Sequence, residues 1–377
     1  MSIREDLGVR ELVNADSMKT ALGGTLMPPQ VVEAMCRAAG SFVDMAELQQ
    51  AVGKRIAHIT RNEAAFVSSG ASSALVLASL ACMTGPDLKV IANVMRDGIG
   101  SLARRDFVVQ CGHRNPYDPS IQLAGGRLVQ VGNVLQTFDW ELEAAIVPTT
   151  AAVFYFAGAH LGFGTLSLEE VVRIAHKANV PVVVDAAAQL PPKSNFWSFT
   201  SRGADLVIFS GGKELRGPQA SGLIVGRQDL IDACTLHASP NQRLARAMKV
   251  GKEEMLGLLA AVELYLDQDE GDELARCERI VADWINGLNA VPALAAERDY
   301  PGTDGRPLPR AVVRFDPSTG LGSSQVQAAL LSGEPHIAVA VAGPNAVYLN
   351  PELLRPGEEK SVIDRVSQIA RDGFAAR

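Results

Sequence analysis

No stretch of this 377-residue sequence stays apolar for the roughly 20 residues that a membrane-spanning helix needs; runs such as 151–157 and 180–184 end long before that length. The first twelve residues carry Arg4, Glu5, Asp6, Arg10 and Glu11 and lack the apolar stretch of a secretory signal. No block of five or six basic residues occurs, and a net charge of −7 with a pI of about 5.5 argues against a nucleic-acid partner. Cysteine is sparse. Cys36, Cys82, Cys111, Cys234 and Cys277 are odd in number and form no C-x-x-C pair, so buried thiols are expected instead of a disulfide framework or a zinc site. The six histidines form no H-x-x-x-H or H-E-x-x-H pattern, and no metal is expected. These absences predict a soluble cytoplasmic protein that binds neither membrane nor nucleic acid.

Apolar material is plentiful. Hydrophobic residues make up 47% of the chain and charged residues 20%, enough for a packed interior. The length exceeds what one core usually serves, so a large domain with a smaller companion is the expectation. Helical spacing marks 28–40 and 44–58, with Asp44 as an N-cap type. From about residue 64, short β-branched runs predict strands at 64–67, 89–93, 127–131, 152–156, 180–184, 205–209 and 223–225. Amphipathic stretches lie between many of them. The clearest is 167–178, where Ser167 caps and Glu169 and Glu170 occupy the first turn. This alternation predicts an α/β fold with a mainly parallel sheet covered on both faces. Beyond residue 240, helices are expected at about 253–266 and 272–288. A small α/β segment follows, with strands at 311–315, 337–341 and 346–349, a helix at 323–331 and a closing helix from Glu358.

Two motifs carry chemistry. In Val182-Val-Val-Asp-Ala-Ala-Ala-Gln189 an acid ends an apolar strand, where ligands of an open parallel sheet sit. Asp185 is either the N-cap of a following helix or a buried carboxylate held ionised by a cationic partner. In Phe209-Ser-Gly-Gly-Lys-Glu-Leu-Arg-Gly-Pro-Gln219, small residues clear space around Lys213. That lysine is not a P-loop lysine, because Glu214 follows it and the upstream glycine is missing; a surface lysine is the bland alternative. Together an acid and a crowded lysine fit pyridoxal 5'-phosphate (PLP), which needs a lysine for a Schiff base and an acid beneath its pyridine nitrogen. A third stretch, Val67-Ser-Ser-Gly-Ala-Ser-Ser-Ala-Leu75, runs from a strand into a helix. The helix start and the hydroxyls of Ser69 and Ser72 form either an anion cradle for the cofactor phosphate or a well-capped core helix.

Taken in order, residues 14–24, Ser-Gly-Ala-Ser-Ser, Val-Asp-Ala-Ala-Ala-Gln and Ser-Gly-Gly-Lys-x-x-x-Gly-Pro-Gln resemble the bacterial selenocysteine synthase-like group of fold-type-I PLP enzymes, which includes seryl-tRNA selenium transferase and D-glucosaminate-6-phosphate ammonia-lyase. The resemblance spans about residues 10–270, and in character the chain is closest to the ammonia-lyase. It implies an N-terminal segment (1–45) packing near the active site, a large PLP-binding domain (46–250), and connecting helices with a small C-terminal domain (251–377). It also implies a homodimer or larger assembly with sites built at subunit interfaces. Carried over by motif position, Lys213 is the Schiff-base lysine, Asp185 the pyridinium partner, and Ser69, Gly70 and Ala71 the phosphate loop. Ser210 is an added phosphate contact. Gln189 and Gln219 stand in matching motif positions.

The chain starts almost at the Asn14 motif, leaving no room for a tRNA-binding N-terminal domain, and its acidity argues against RNA; selenium transfer is set aside. The favoured reaction is an ammonia-lyase elimination from a β-hydroxy amino acid or aminosugar acid, phosphorylated or not, giving a 2-oxo acid and ammonia. Amino-acid racemisation and transamination are the alternatives on the same scaffold, and a non-catalytic binding module is the competing class. A substrate carboxylate calls for arginine, which binds it with two parallel hydrogen bonds. Arg96, Arg104, Arg105, Arg114 and Arg246 are candidates, with His113 and Tyr117 as stacking or proton-handling groups and Lys249 and Lys252 as phosphate contacts.

Overall fold

A computed structural model describes residues 6–375. In chain order the strands are β1 (Leu12–Ala15), β2 (Ala64–Ser68), β3 (Asp106–Gln110), β4 (Arg127–Val131), β5 (Thr150–Phe156), β6 (Val182–Asp185), β7 (Leu206–Ser210), β8 (Gly222–Gly226), β9 (Leu294–Asp299), β10 (Arg310–Phe315), β11 (His336–Gly343) and β12 (Ala346–Leu349). The described residues divide into two compact units, with breaks after Gly24 and Gln268.

The larger unit is built on a seven-stranded sheet in the order β2-β8-β7-β6-β5-β3-β4. β3 to β7 pair in parallel, while β8 runs antiparallel to both β7 and β2. Alternate residues face opposite sides, and both sides are apolar: Val182, Val184, Val207 and Phe209 enter one core, and Val183, Leu206 and Ile208 the other. The helix Ala71–Thr84 is buried around most of its circumference in the second core, as an all-round apolar helix must be. The expected helix near 167 is Leu168–Lys177, and its capping box is complete: Ser167 Oγ accepts from Glu170 N at 3.3 Å, and Glu170 Oε2 accepts from Ser167 N at 2.8 Å.

Several strand assignments change. Residues 89–93, expected as a strand, lie in the helix Leu88–Asp97. Asp87 caps it by accepting from Lys89 N at 2.7 Å, and Ile91 and Val94 form its buried stripe. The sequence reading also lacks β1, β9 and, within the larger sheet, β3, which is fully buried between β4 and β5.

The smaller unit carries the sheet β1-β11-β12-β10-β9, with Trp284, Phe315, Ile337, Val347 and Val362 in its core. The division differs from the expected 45/46 and 250/251. β1 pairs in parallel with β11, so the first strand completes the C-terminal sheet. At the other break, Met255, Leu258 and Val262 of the helix Lys252–Asp267 are buried in the core of the larger unit. Among the described residues no single helix is long and apolar enough to cross a membrane.

Candidate active site

Because β2, β3, β5, β6 and β7 share one direction, their carboxyl ends form one edge of the larger sheet, the edge at which open parallel sheets bind ligands. Asp185 ends β6 and is buried, 8% exposed. Its Oδ1 accepts from Ala187 N at 2.9 Å. Burial raises its pKa, and the Ala187 amide and the positive charge of Lys213 act in the opposite direction. Burial thus outweighs the charge of Lys213, and a protonated ring nitrogen would supply further countercharge. It does not cap a helix; the helix that follows begins only at Asn195.

Lys213 is half-buried in the turn after β7. The turn is closed by Gly211 N to Ser221 O at 2.9 Å, Gly217 N to Gly211 O at 2.8 Å and Arg216 N to Lys213 O at 2.8 Å. Thr25 Oγ1 donates to Lys213 O at 3.1 Å, a contact the motifs do not announce. The glycines are needed for close approach: a Cβ on Gly211 would lie 2.0 Å from Ser221 Oγ, and one on Gly212 would lie 2.7 Å from Gln219 Cα and Oε1. Gln219 thus folds back beside the lysine turn, although its side chain is exposed to solvent.

The predicted cradle lies at the end of β2. Gly70 caps the helix Ala71–Thr84 at φ 135°, which favours glycine, and leaves the N–H groups of its first turn facing the sheet edge. Ser69 Oγ donates to Met248 O at 3.1 Å, Ser73 Oγ to Gly70 O at 2.7 Å, and Ser72 Oγ pairs with Ser120 Oγ at 2.7 Å. Register brings this cradle and the lysine together, since Gly222 of β8 pairs with Ser68 on one side and Ser210 on the other. A Cβ on Gly222 would lie 2.5 Å from Gly70 C and 2.8 Å from Ala71 N. The helix start can lie this close to β8, beside the lysine strand, only because residue 222 has no side chain. An acid, a lysine and an anion cradle on one edge of the sheet fit PLP.

His113 follows β3, is 1% exposed, and packs edge-on against Tyr155 with ring centroids 4.6 Å apart. Burial pushes its pKa down to about 4, so it is neutral, and neither ring nitrogen has a hydrogen-bond partner among the described residues. Gln189 lies past Asp185, its Nε2 3.6 Å from where a Cβ of Gly158 would stand. His160, which motif reading passes over, stands on the same glycine.

The candidate arginines separate. Arg104 and Arg105 precede β3 and so lie at the opposite edge of the sheet, where Arg104 Nε donates to Thr150 O at 2.9 Å. Arg96 is exposed and takes both oxygens of Asp97, at 2.7 and 2.8 Å. Neither end of the molecule's chemistry is served by these three. Arg114 follows His113 and is held by the buried carboxylate of Asp118. Tyr117, on the same loop, is 59% exposed. Arg246 is exposed in the turn Arg246–Met248, whose Met248 carbonyl is the one bound by Ser69, and it makes no ion pair among the described residues. Lys252 pairs with Glu253, and Lys249 is exposed.

Comparisons with known proteins agree with this geometry. Residues 13–288 match the family model described as L-seryl-tRNA selenium transferase, SelA. A D-glucosaminate-6-phosphate ammonia lyase of Salmonella typhimurium is 34% identical, with 98% of both chains covered. A 5'-C-glycyluridine monooxygenase-decarboxylase of a Streptomyces species is 33% identical over 98% of this chain and 92% of its own. A solved structure of D-glucosaminate-6-phosphate ammonia-lyase, 32% identical, covers 99% of both chains with a TM-score of 0.86. The fold is that of fold-type-I PLP enzymes. The chain belongs to the SelA, L-seryl-tRNA selenium transferase, family.

Proposed function

We propose that this chain is a PLP-dependent ammonia-lyase that converts a β-hydroxy amino acid or aminosugar acid to a 2-oxo acid and ammonia. The observation that carries the reading is the placement of Asp185 and Lys213 at the carboxyl ends of the adjacent parallel strands β6 and β7, with the Gly70–Ala71 cradle facing them across Gly222. Identity of 34% with an ammonia lyase along nearly the whole length of both chains supports the reaction class.

PLP, when bound, supplies an electron sink that lets a bond at Cα break heterolytically. The chain supplies the rest. The Asp185 carboxylate would hold a proton on the ring nitrogen, and the N–H groups of Ala71, Ser72 and Ser73 would hold the phosphate at the positive end of their helix. The Lys213 Nζ would take the Cα proton. Arg114 and Arg246 are the remaining arginines for the substrate carboxylate, and Gln189, Ser210 and Gln219 line the approach. The molecule works in the cytoplasm as a homodimer or larger assembly. Sedimentation as a monomer at assay concentrations would contradict that part.

The test is ammonia release by PLP-loaded protein from a panel of D- and L-β-hydroxy amino acids and aminosugar acids without an oxo-acid acceptor. D-glucosaminate 6-phosphate is the first member, after the relative's name. Stoichiometric ammonia and 2-oxo acid, abolished in Lys213→Ala, is the expected result. A yellow protein that releases no ammonia moves the reading to racemase or aminotransferase. Oxygen uptake would move it towards the chemistry for which the Streptomyces relative is named.

A further inference from the structure

Hydroxide is a poor leaving group, and an elimination that expels it needs a proton delivered to the departing oxygen. Lys213 is occupied with the Cα proton at that moment. The sheet order limits where a second proton donor can stand. β6, which carries Asp185, has β7 with its lysine on one side and β5 on the other. The loop leaving β5 is tied to the acid strand, since Ala157 N donates to Asp185 O at 2.9 Å. Three residues further along that loop is His160, in the short turn Ala159–Leu161.

Gly158 fixes where the imidazole goes. A Cβ on Gly158 would lie 2.9 Å from His160 Cε1, 3.1 Å from its Nδ1 and 3.6 Å from Gln189 Nε2. The ring and the amide therefore stand over one bare Cα, in the loop that leaves the strand adjacent to that of Asp185. The ring is exposed to solvent and makes no hydrogen bond among the described residues, so its nitrogens are available to a ligand. The other groups on this edge do not compete. His113 belongs to β3, one strand further from Asp185, and is buried and neutral. Tyr117 lies on that same outer loop.

Resting on the lyase reading above, we propose that His160 is the residue that protonates the β-hydroxyl as it leaves. The Cα–H bond breaks with its proton going to Lys213 Nζ. The Cβ–O bond breaks with its electron pair going to oxygen, the protonated His160 ring gives that oxygen its proton, and water departs as the Cα–Cβ double bond forms. No oxidant or reductant is involved, and His160 regains a proton from solvent.

The experiment compares wild-type holoenzyme with His160→Gln on D-glucosaminate 6-phosphate and on its 3-chloro-3-deoxy analogue. Chloride leaves without a proton. General acid catalysis is worth about 10²–10⁴-fold, so the variant should lose at least about 100-fold in hydroxyl elimination while chloride elimination stays within about 3-fold. Loss of the Cα–H signal by NMR in D2O, which reads the Lys213 step alone, should persist in the variant, and the visible absorption of the bound cofactor should be unchanged. Equal loss on both substrates, or no loss on either, overturns the role of His160. A wild-type enzyme that eliminates neither group overturns the lyase reading itself, and the inference with it.

Discussion

Ala187 N donates to Asp185 Oδ1 at 2.9 Å, fixing one oxygen of the carboxylate at the end of β6. The positive charge of Lys213 also acts on this carboxylate. Asp185→Asn keeps the shape and removes the charge. Breaking one side of a buried ion pair costs about 3–5 kcal/mol, so turnover or cofactor affinity should fall by about 10²–10³-fold. Absorbance titration with PLP and steady-state ammonia release check this, with the melting temperature of the cofactor-free protein little changed.

Gly222→Ala should act through space alone. The new methyl would lie within 3 Å of the Gly70–Ala71 peptide, and backbone cannot step aside as a flexible side chain can. Overpacking of this kind costs about 1–3 kcal/mol. The expected result is a lower melting temperature together with weakened PLP binding. A variant with lowered stability but full cofactor affinity would show that this close approach does not shape the cofactor's seat.

His237 gives the larger unit a pH-dependent stability. It is fully buried, bonded through Nε2 to Thr84 Oγ1 at 2.8 Å, and burial pushes its pKa down to about 4. An unfolded histidine titrates near 6.5, so between about pH 6.5 and about pH 4 the unfolded chain holds a proton that the folded one refuses. Stability is unaffected above about 6.5, falls as pH drops through that window, and levels off below about 4. The loss is on the order of 3 kcal/mol per such histidine. His113 is pushed in the same direction, so His237→Gln should halve the slope of stability against pH without abolishing it. Urea unfolding at a series of pH values measures it.

In the smaller unit, Arg306 is 7% exposed and reaches both oxygens of Glu352, at 2.9 and 3.3 Å, with Asp304 on its Nε at 2.8 Å. Glu352→Gln should lower stability by about 3 kcal/mol, the low end for a broken buried pair, because Asp304 still meets the guanidinium. A lowered urea midpoint with unchanged cofactor absorption in native buffer is the outcome to look for.

The central strands were legible because their chemistry is uniform: β5 to β8 are β-branched or aromatic runs buried on both faces. The edge of the pattern was not. β3 begins and ends in polar residues that only tertiary partners excuse, Asp106 with Arg127 Nε at 2.7 Å and Gln110 Oε1 with Leu166 N at 2.6 Å. Without that strand, nothing in the sequence tells that Arg105 enters the sheet at the end remote from Lys213. Residues 89–93 misled for the converse reason: Val90 and Ile91 favour a strand, and the Asp87 cap with a stripe at Ile91 and Val94 outweighs them. β1 pairs with a strand more than 300 residues away, which no local pattern announces. His160 is a single histidine in a glycine-rich loop, and only its perch on Gly158 distinguishes it.

The reversed direction of β8 has a metrical consequence. β8 starts at the site edge, directly after the lysine turn, and what separates the lysine strand from the cradle strand is two hydrogen-bonded spacings, about 9–10 Å. That span belongs to the backbone and is indifferent to side-chain replacement. The sheet acts as a caliper of constant opening, so descendants of this scaffold are free to change which bond they break while remaining bound to a ligand of one length.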